Sequence, residues 1–130
     1  MPAPSVATYS AAAKIAAHTA FLALLAAGSS NALIRIRDSA DVLLAQIPLS
    51  DPAGTVNGTT GQLTLSIAAR DESADASGVA AYGEFCDSDG VVHLALPTMQ
   101  GSVAVSGKLI LNTLTIVATT PVEILSAVIG

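Results

Sequence analysis

The chain has 130 residues, of which 52% are hydrophobic, 12% are charged and 3% are aromatic, and its formal net charge is −5. An average soluble domain has about 25% charged residues, so either this fold buries nearly everything or much of its surface meets other protein. The five basic residues are scattered along the chain, which excludes the basic face that direct nucleic-acid binding requires. The length fits a single domain with one core.

Cysteine usage and one apolar segment bear on the compartment. The single cysteine, Cys86, cannot form an internal disulfide, so folding in a reducing cytoplasm is expected. The stretch around residues 14–30 has some features of a secretory signal, but no basic residue precedes Lys14. Its apolar part, residues 15–27, is shorter than the roughly 20 residues that a bilayer span needs. We therefore predict neither export nor membrane insertion.

The first predicted element is a helix over residues 10–27, because Ala and Leu dominate this segment and it contains no Gly or Pro. Ser5 or Ser10 would serve as the N-cap, and Gly28 would end the helix. One stripe of larger side chains recurs at near-helical spacing: Ile15, Phe21, Leu22 and Leu25. We predict that residues 1–31 form an N-terminal helical arm and that this stripe is its oligomer or docking surface.

From residue 32 onward the pattern alternates with the period of a strand. Ile34 and Ile36 fall on one face and Arg35 and Arg37 on the other, and residues 63–67 alternate in the same way. The further predicted strands are residues 42–49, 79–86, 91–96, 102–106, 108–111, 114–118 and 122–129. Turn-forming clusters separate these segments. The pattern predicts a mainly β protein in which residues 32–130 form an antiparallel β-sandwich or jelly-roll-like domain.

The segment GEFCDSDGVVHL, residues 83–94, carries more chemistry than any other short window. It contains Cys86, Asp87, Asp89 and His93. A calcium loop of the EF-hand type would need a bidentate Glu six residues after Gly90, and Leu96 stands there. Asp89 followed by Gly90 between apolar segments is instead a strong hairpin signal, because both residues tolerate positive φ. We predict a hairpin, with a weak cation site or a catalytic site as the alternatives.

The remaining chemistry is thin. Cys86 and His93 would lie on the two arms of the hairpin, but zinc needs more N or S ligands than these two. Neither a nucleophile elbow, a P-loop nor an H-E-x-x-H motif is present. We therefore expect that the protein is not an enzyme and needs no metal or cofactor. The four aromatic residues, Tyr9, Phe21, Tyr82 and Phe85, are expected to pack in the core.

Three segments, LIRIRDSADVLLAQIPLSDPAG, DESADASGVAAYGEFCDSDG and LILNTLTIVATTPVEILSA, carry a resemblance to a known group. From about Leu33 to the end, the chain resembles short virion structural proteins of tailed bacteriophages and prophages. In that group an Ala-rich N-terminal helix precedes a β domain. The resemblance implies a structural component of the virion, either of the head or of the tail.

These observations together predict a capsid decoration, or cement, protein. Such a protein would form a homotrimer or homodimer, bind the outer surface of the major capsid protein shell, and reside in the virion after assembly in the host cytoplasm. Two alternatives stay open. One is a tail or head–tail component, and the other is a receptor- or glycan-binding module, against which the scarcity of aromatic platforms argues.

Overall fold

The structure is a computed structural model that describes residues 8–130. Its elements, in chain order, are α1 (Ala11–Leu25), β1 (Leu33–Arg37), β2 (Leu43–Val56), β3 (Leu63–Ile67), β4 (Gly78–Val79), β5 (Tyr82–Cys86), β6 (Val92–Gln100), β7 (Lys108–Leu111), β8 (Thr115–Ile116) and β9 (Ile124–Ile129). The predicted mainly β character with one N-terminal helix is confirmed. No helix within residues 8–130 has the length and hydrophobicity to cross a membrane.

Seven strands form one closed barrel, in the order β1-β2-β3-β9-β7-β6-β5. This architecture takes the place of the expected sandwich or jelly roll, and the β6–β7 pair is parallel rather than antiparallel. The physical reason lies in the two longest strands. β2 pairs with β1 through its first half and with β3 through its second, with an irregularity between Leu49 and Gly54. β6 changes partner from β5 to β7 in the same way. β2 and β6 therefore each connect two parts of the sheet, and the sheet closes into a barrel.

One predicted strand, residues 102–106, is a loop in the structure. It lies in the connection between the parallel strands β6 and β7, and a parallel pair requires the chain to cross from one end of the sheet to the other. Val103 in this loop is 73% exposed. The alternation of valines there therefore reflects no buried face.

The barrel interior is filled by the side chains that the alternation predicted to face inward. Ile34, Ile36 and Leu63 are fully buried. Gly83 on β5 lies opposite Leu109 on β7, and a Cβ at position 83 would stand 2.5 Å from Leu109 Cδ2. The glycine therefore makes room for a leucine that crosses the interior.

Two segments close the ends of the barrel. α1 lies across the end where β1 and β3 begin, and Leu25 is fully buried there while Phe21 and Leu22 pack against the core. We call this the helix end. The other end is covered by residues 71–80 running antiparallel to residues 114–122, which include β4 and β8. We call this the ribbon end, and its buried side chains are Ala74, Ala80, Ile116 and Val122.

The helix begins where one of the two proposed caps stands. Ser10 has extended backbone geometry, and its side chain accepts a hydrogen bond of 3.2 Å from the backbone N of Ala13. The alternative cap, Ser5, lies outside the described residues. The helix ends at Leu25, shortly before Gly28, as the sequence predicts within the usual uncertainty of helix ends.

Candidate interaction surface

The predicted docking stripe of α1 faces the chain's own barrel. Leu25 has no exposed surface, Phe21 and Leu22 pack against the core cluster, and Ile15 is half-buried. In this position the helix uses its large apolar side chains to close the barrel. A partner that binds α1 while the helix is packed on the barrel therefore contacts the opposite face of the helix.

That opposite face of α1 carries small and uncharged residues. Its exposed members are Ala12, Ala13, Ala16, Ala17, Thr19, Ala20, Ala23 and Leu24. The charged and ionisable residues of the helix, Lys14 and His18, are half-buried toward the barrel side. A solvent-facing helix ordinarily has a polar outer face, so this surface gains little from contact with water.

A groove of about 410 Å³ runs between the first half of α1 and the end of β9. It is lined by Tyr9, Ala13, Lys14, Ala17, His18, Ile129 and Gly130. His18 Nδ1 donates a hydrogen bond of 2.7 Å to the carbonyl oxygen of Gly61, which fixes the imidazole against the β2–β3 turn. Within residues 8–130 no carboxylate forms an ion pair with Lys14. The groove is therefore an apolar channel with one unpaired cation on its wall.

The segment GEFCDSDGVVHL forms the β5–β6 hairpin, which confirms the predicted turn. Asp87 Oδ1 accepts hydrogen bonds of 3.0 Å from the backbone N of Asp89 and of Val91. Asp87 Oδ2 lies 3.0 Å from Nε2 of His93. The hydrogen bond to His93 lowers the pKa of Asp87, and the backbone hydrogen bond from Val91 lowers it further. Gly90 has φ +86°, whereas Asp89 does not have a positive φ, so only the glycine takes the conformation expected of the Asp-Gly pair.

The other two reactive side chains of this hairpin, Cys86 and His93, contact residues of the same hairpin. Cys86 is fully buried, its Sγ contacts the carbonyl oxygen of Glu84 at 3.8 Å, and burial raises the pKa of its thiol. His93 contacts Asp87 rather than Cys86. Within the described part of the chain, no group of three or more His, Cys, Asp or Glu side chains is placed to hold a metal ion.

The tip of this hairpin packs against the helix end. The Ser30 backbone N donates to Ser88 Oγ at 3.3 Å, and a Cβ at Gly28 would overlap Ser88 Oγ at 1.6 Å. The guanidinium of Arg35 lies over Gly90. With Ser88 turned inward, the residues that face solvent at the tip are Asp89, Val91 and Val92. The two valines are 53% and 44% exposed.

The aromatic residues divide between the core and the surface. Phe85 is fully buried and Phe21 packs against the core, as predicted. Tyr9, by contrast, is 76% exposed beside the groove. The Tyr82 hydroxyl donates a hydrogen bond of 2.6 Å to Asp41 Oδ1, which raises the pKa of Tyr82 to about 12. Core packing was therefore the wrong expectation for the two tyrosines.

Charge is distributed unevenly between the two ends. The carboxylates in or beside the segments that cover the ribbon end are Asp38, Asp41, Asp71, Glu72, Asp75 and Glu123. Only Arg37 and Arg70 are basic in this region, and they pair with Glu84 and Glu72. At the helix end, Lys14, Arg35 and Lys108 balance Asp51, Asp87 and Asp89. The acidic surplus of the chain is therefore concentrated at the ribbon end.

Comparison of the chain with family models, with curated proteins and with solved structures gave no match. The resemblance to phage virion proteins thus stays a prediction from the sequence. The groove and the exposed hairpin tip were not found by sequence reasoning. The groove joins residues far apart in the chain, such as Lys14 and Ile129, and no local pattern signals such a pairing. The hairpin itself was predicted, but its local pattern does not show that Val91 and Val92 stay exposed at the tip.

Proposed function

We propose that this protein is a capsid decoration protein of a tailed bacteriophage, which self-associates and attaches to the major capsid protein shell through its helix end. The observation that carries the proposal is the uncharged outer face of α1. An exposed helix face without charged side chains loses little hydration when it is covered, and alanines let a second backbone approach closely.

Attachment by the helix end would direct the acidic ribbon end away from the shell. Like charges on the outer surface of neighbouring particles repel, which keeps assemblies soluble. The ribbon end also exposes Val42, Val79 and Val117, at 46%, 61% and 52%. These valines stand among the carboxylates described above, whereas the outer face of α1 carries no charge.

Stabilisation of the shell needs no chemical step. A protein that binds assembled subunits better than free ones shifts the equilibrium toward the assembled state by mass action. The fold fits such a role, because a closed barrel has no free sheet edge through which it could aggregate. The protein would then reside in the virion.

The test is a charge pair placed on the outer face of α1. Ala16→Glu with Ala20→Lys adds no net charge and supports the helix, since Glu followed four residues later by Lys stabilises helices. Burying this pair in an interface is costly, so binding to purified phage particles should weaken by at least about tenfold. The matched control is Val79→Glu with Val117→Lys at the ribbon end, which should bind as the parent does.

Two outcomes would redirect the proposal. If only the control pair abolishes binding, the protein attaches by its ribbon end. If a labelled protein decorates the tail or the head–tail junction instead of the shell, the role as a tail or head–tail component takes precedence. Equal binding by all variants would contradict attachment through either end.

A further inference from the structure

We infer that the hairpin tip of one copy, Asp89 with Val91 and Val92, inserts into the groove beside α1 of a second copy. This inference rests on the self-association in the proposed function but not on the presence of a capsid shell. It names the occupant of the groove and explains why the tip exposes two valines.

The two surfaces are complementary in charge and in polarity. The groove offers the apolar side chains of Ala13, Ala17 and Ile129 with the ammonium of Lys14 at its wall. The tip offers the apolar side chains of Val91 and Val92 with the carboxylate of Asp89. Neither charge forms an ion pair among the described residues. An ion pair at the rim with apolar contacts inside is the usual arrangement of a protein interface.

The tip cannot fill the groove of its own chain. It is held at the C-terminal end of α1 by the contact between Ser88 and Gly28. The groove lies along the first half of the helix, between Ala13 and His18. At a rise of 1.5 Å per residue, Ala13 is separated by roughly 18 Å along the helix axis from Leu25, the last residue of α1, and Gly28 follows beyond it. The occupant therefore comes from another copy.

A contact between two different surfaces is either reciprocal, as in a two-fold dimer in which each tip enters the other copy's groove, or heterologous, when the tip of each copy enters the groove of the next. Heterologous contacts generate closed rings when the rotation between copies closes, and open filaments when it does not. Both surfaces lie at the helix end, so a ring would gather the helix ends on one side. A discrete dimer or trimer is the expected product, and it would present more than one α1 face to a partner surface.

Charge reversal tests the contact directly. Lys14→Glu and Asp89→Lys should each weaken self-association by about tenfold, since an attractive pair becomes a repulsive one. Sedimentation equilibrium at micromolar concentrations measures this, with circular dichroism to show that each variant is folded. The double variant carrying both reversals should associate within about threefold of the parent, because the pair is restored with opposite signs.

Mixing gives a second readout that needs no double variant. When the Lys14→Glu and Asp89→Lys proteins are combined, each tip finds a groove of opposite charge on the other protein. Association should therefore return on mixing, although each protein alone associates more weakly than the parent. A parent protein that is monomeric, single variants that associate normally, or reversals that neither the double variant nor mixing rescues would each overturn the inference.

The apolar part of the contact has its own matched pair. Val91→Ser removes a tip side chain and should weaken association severalfold, whereas Val103→Ser changes a more exposed valine in the β6–β7 loop and should have no effect. Equal effects of the two substitutions would contradict the contact. Shell binding of the parent protein is measured separately. A parent protein that binds the shell without self-associating overturns only this inference, and one that self-associates without binding the shell overturns only the docking proposal.

Discussion

The two ends of the barrel are closed by different means. The ribbon end is held by backbone hydrogen bonds, including the reciprocal pair between Asp71 and Val122 at 2.9 and 2.7 Å, and its outer surface is acidic. The helix end is closed by the side chains of one helix, and the outer surface of that helix is uncharged. The ribbon end thus has an outer surface rich in carboxylates, while the outer face of α1 at the helix end carries no charge.

The difference also concerns stability. An isolated helix of this length is marginal in water, so α1 depends on packing against the barrel. The ribbon has no comparable stripe of large side chains, and it is held by main-chain pairing together with the buried side chains of Ala74, Ala80, Ile116 and Val122. Substitutions in α1 should therefore separate residues that hold the helix to the barrel from residues that face a partner.

The largest expected effect separates two adjacent leucines of the helix. Leu25→Ala should lower the free energy of unfolding by about 3 kcal/mol, because the side chain is fully buried and alanine leaves a cavity. Leu24→Ala should change it by less than about 0.5 kcal/mol, because Leu24 is 49% exposed. Urea denaturation measures both. Equal values would mean that α1 does not rest on the barrel as described.

The next effect isolates the contact between the helix and the β2–β3 turn. Gly61 has φ +77°, and a Cβ there would lie 2.5 Å from Lys14 Cβ and 2.8 Å from the Ala11 carbonyl oxygen. Gly107 has φ +78° with no atom within 4 Å of such a Cβ. Gly107→Ala should cost about 1 kcal/mol from backbone strain alone, and Gly61→Ala about 2 kcal/mol or more.

The comparison of these two glycines is what carries information. Their backbone strain is the same, so the excess destabilisation of Gly61→Ala reports the packing of α1 on the turn. If both substitutions lower the free energy of unfolding equally in thermal or urea unfolding, α1 accommodates the added methyl group without cost. The contact between α1 and the turn then contributes little to stability.

A smaller effect concerns pH at the hairpin that supports the helix end. The pKa of Asp87 is lowered by its hydrogen bond with His93, so the stabilisation is present above the ordinary pKa of a carboxyl, about 3.9, and is lost as the pH falls below that value through the lowered pKa. Asp87→Asn should keep the turn but lose this acid dependence. Unfolding curves at neutral and strongly acidic pH check it. An unchanged acid dependence would show that other carboxyls dominate.

The sequence predicted local structure but did not predict which distant strands pair with one another. The alternation around Ile34 and Ile36 identified β1 and its buried face, and the Asp89-Gly90 pair identified the hairpin, because both signals reside in neighbouring residues. The barrel was not predicted, because its closure depends on where β2 stops pairing with β1 and begins pairing with β3. No residue near Leu49 indicates which strand will be the partner. An antiparallel sandwich and a barrel have the same alternation.

The candidate site shows the same limit. The sequence correctly predicted that Leu25 and the other residues of the stripe lie on one face of the helix. Periodicity shows that such a stripe will be buried, but the surface that buries it depends on the tertiary fold, which here is the chain's own barrel. The groove escaped notice for the opposite reason, because its alanines and Lys14 form no apolar stripe at all.

The smallest expected effect lies at the ribbon end, where it tests whether polar contacts rather than apolar packing organise that surface. The Tyr82 hydroxyl donates to Asp41, a residue held at φ +66° whose backbone oxygen also accepts from Arg37 at 3.0 Å. This hydrogen bond raises the pKa of Tyr82 to about 12, so its stabilisation is present below the ordinary tyrosine pKa of about 10 and is lost as the pH rises through about 12.

Asp41→Asn removes the carboxylate and should return the phenol titration of Tyr82, followed by ultraviolet absorbance, toward about 10. A Tyr82 that titrates at about 10 in the parent protein would show that this polar contact is not formed in solution, and the contrast between the ribbon end and the helix end would then rest on charge distribution alone.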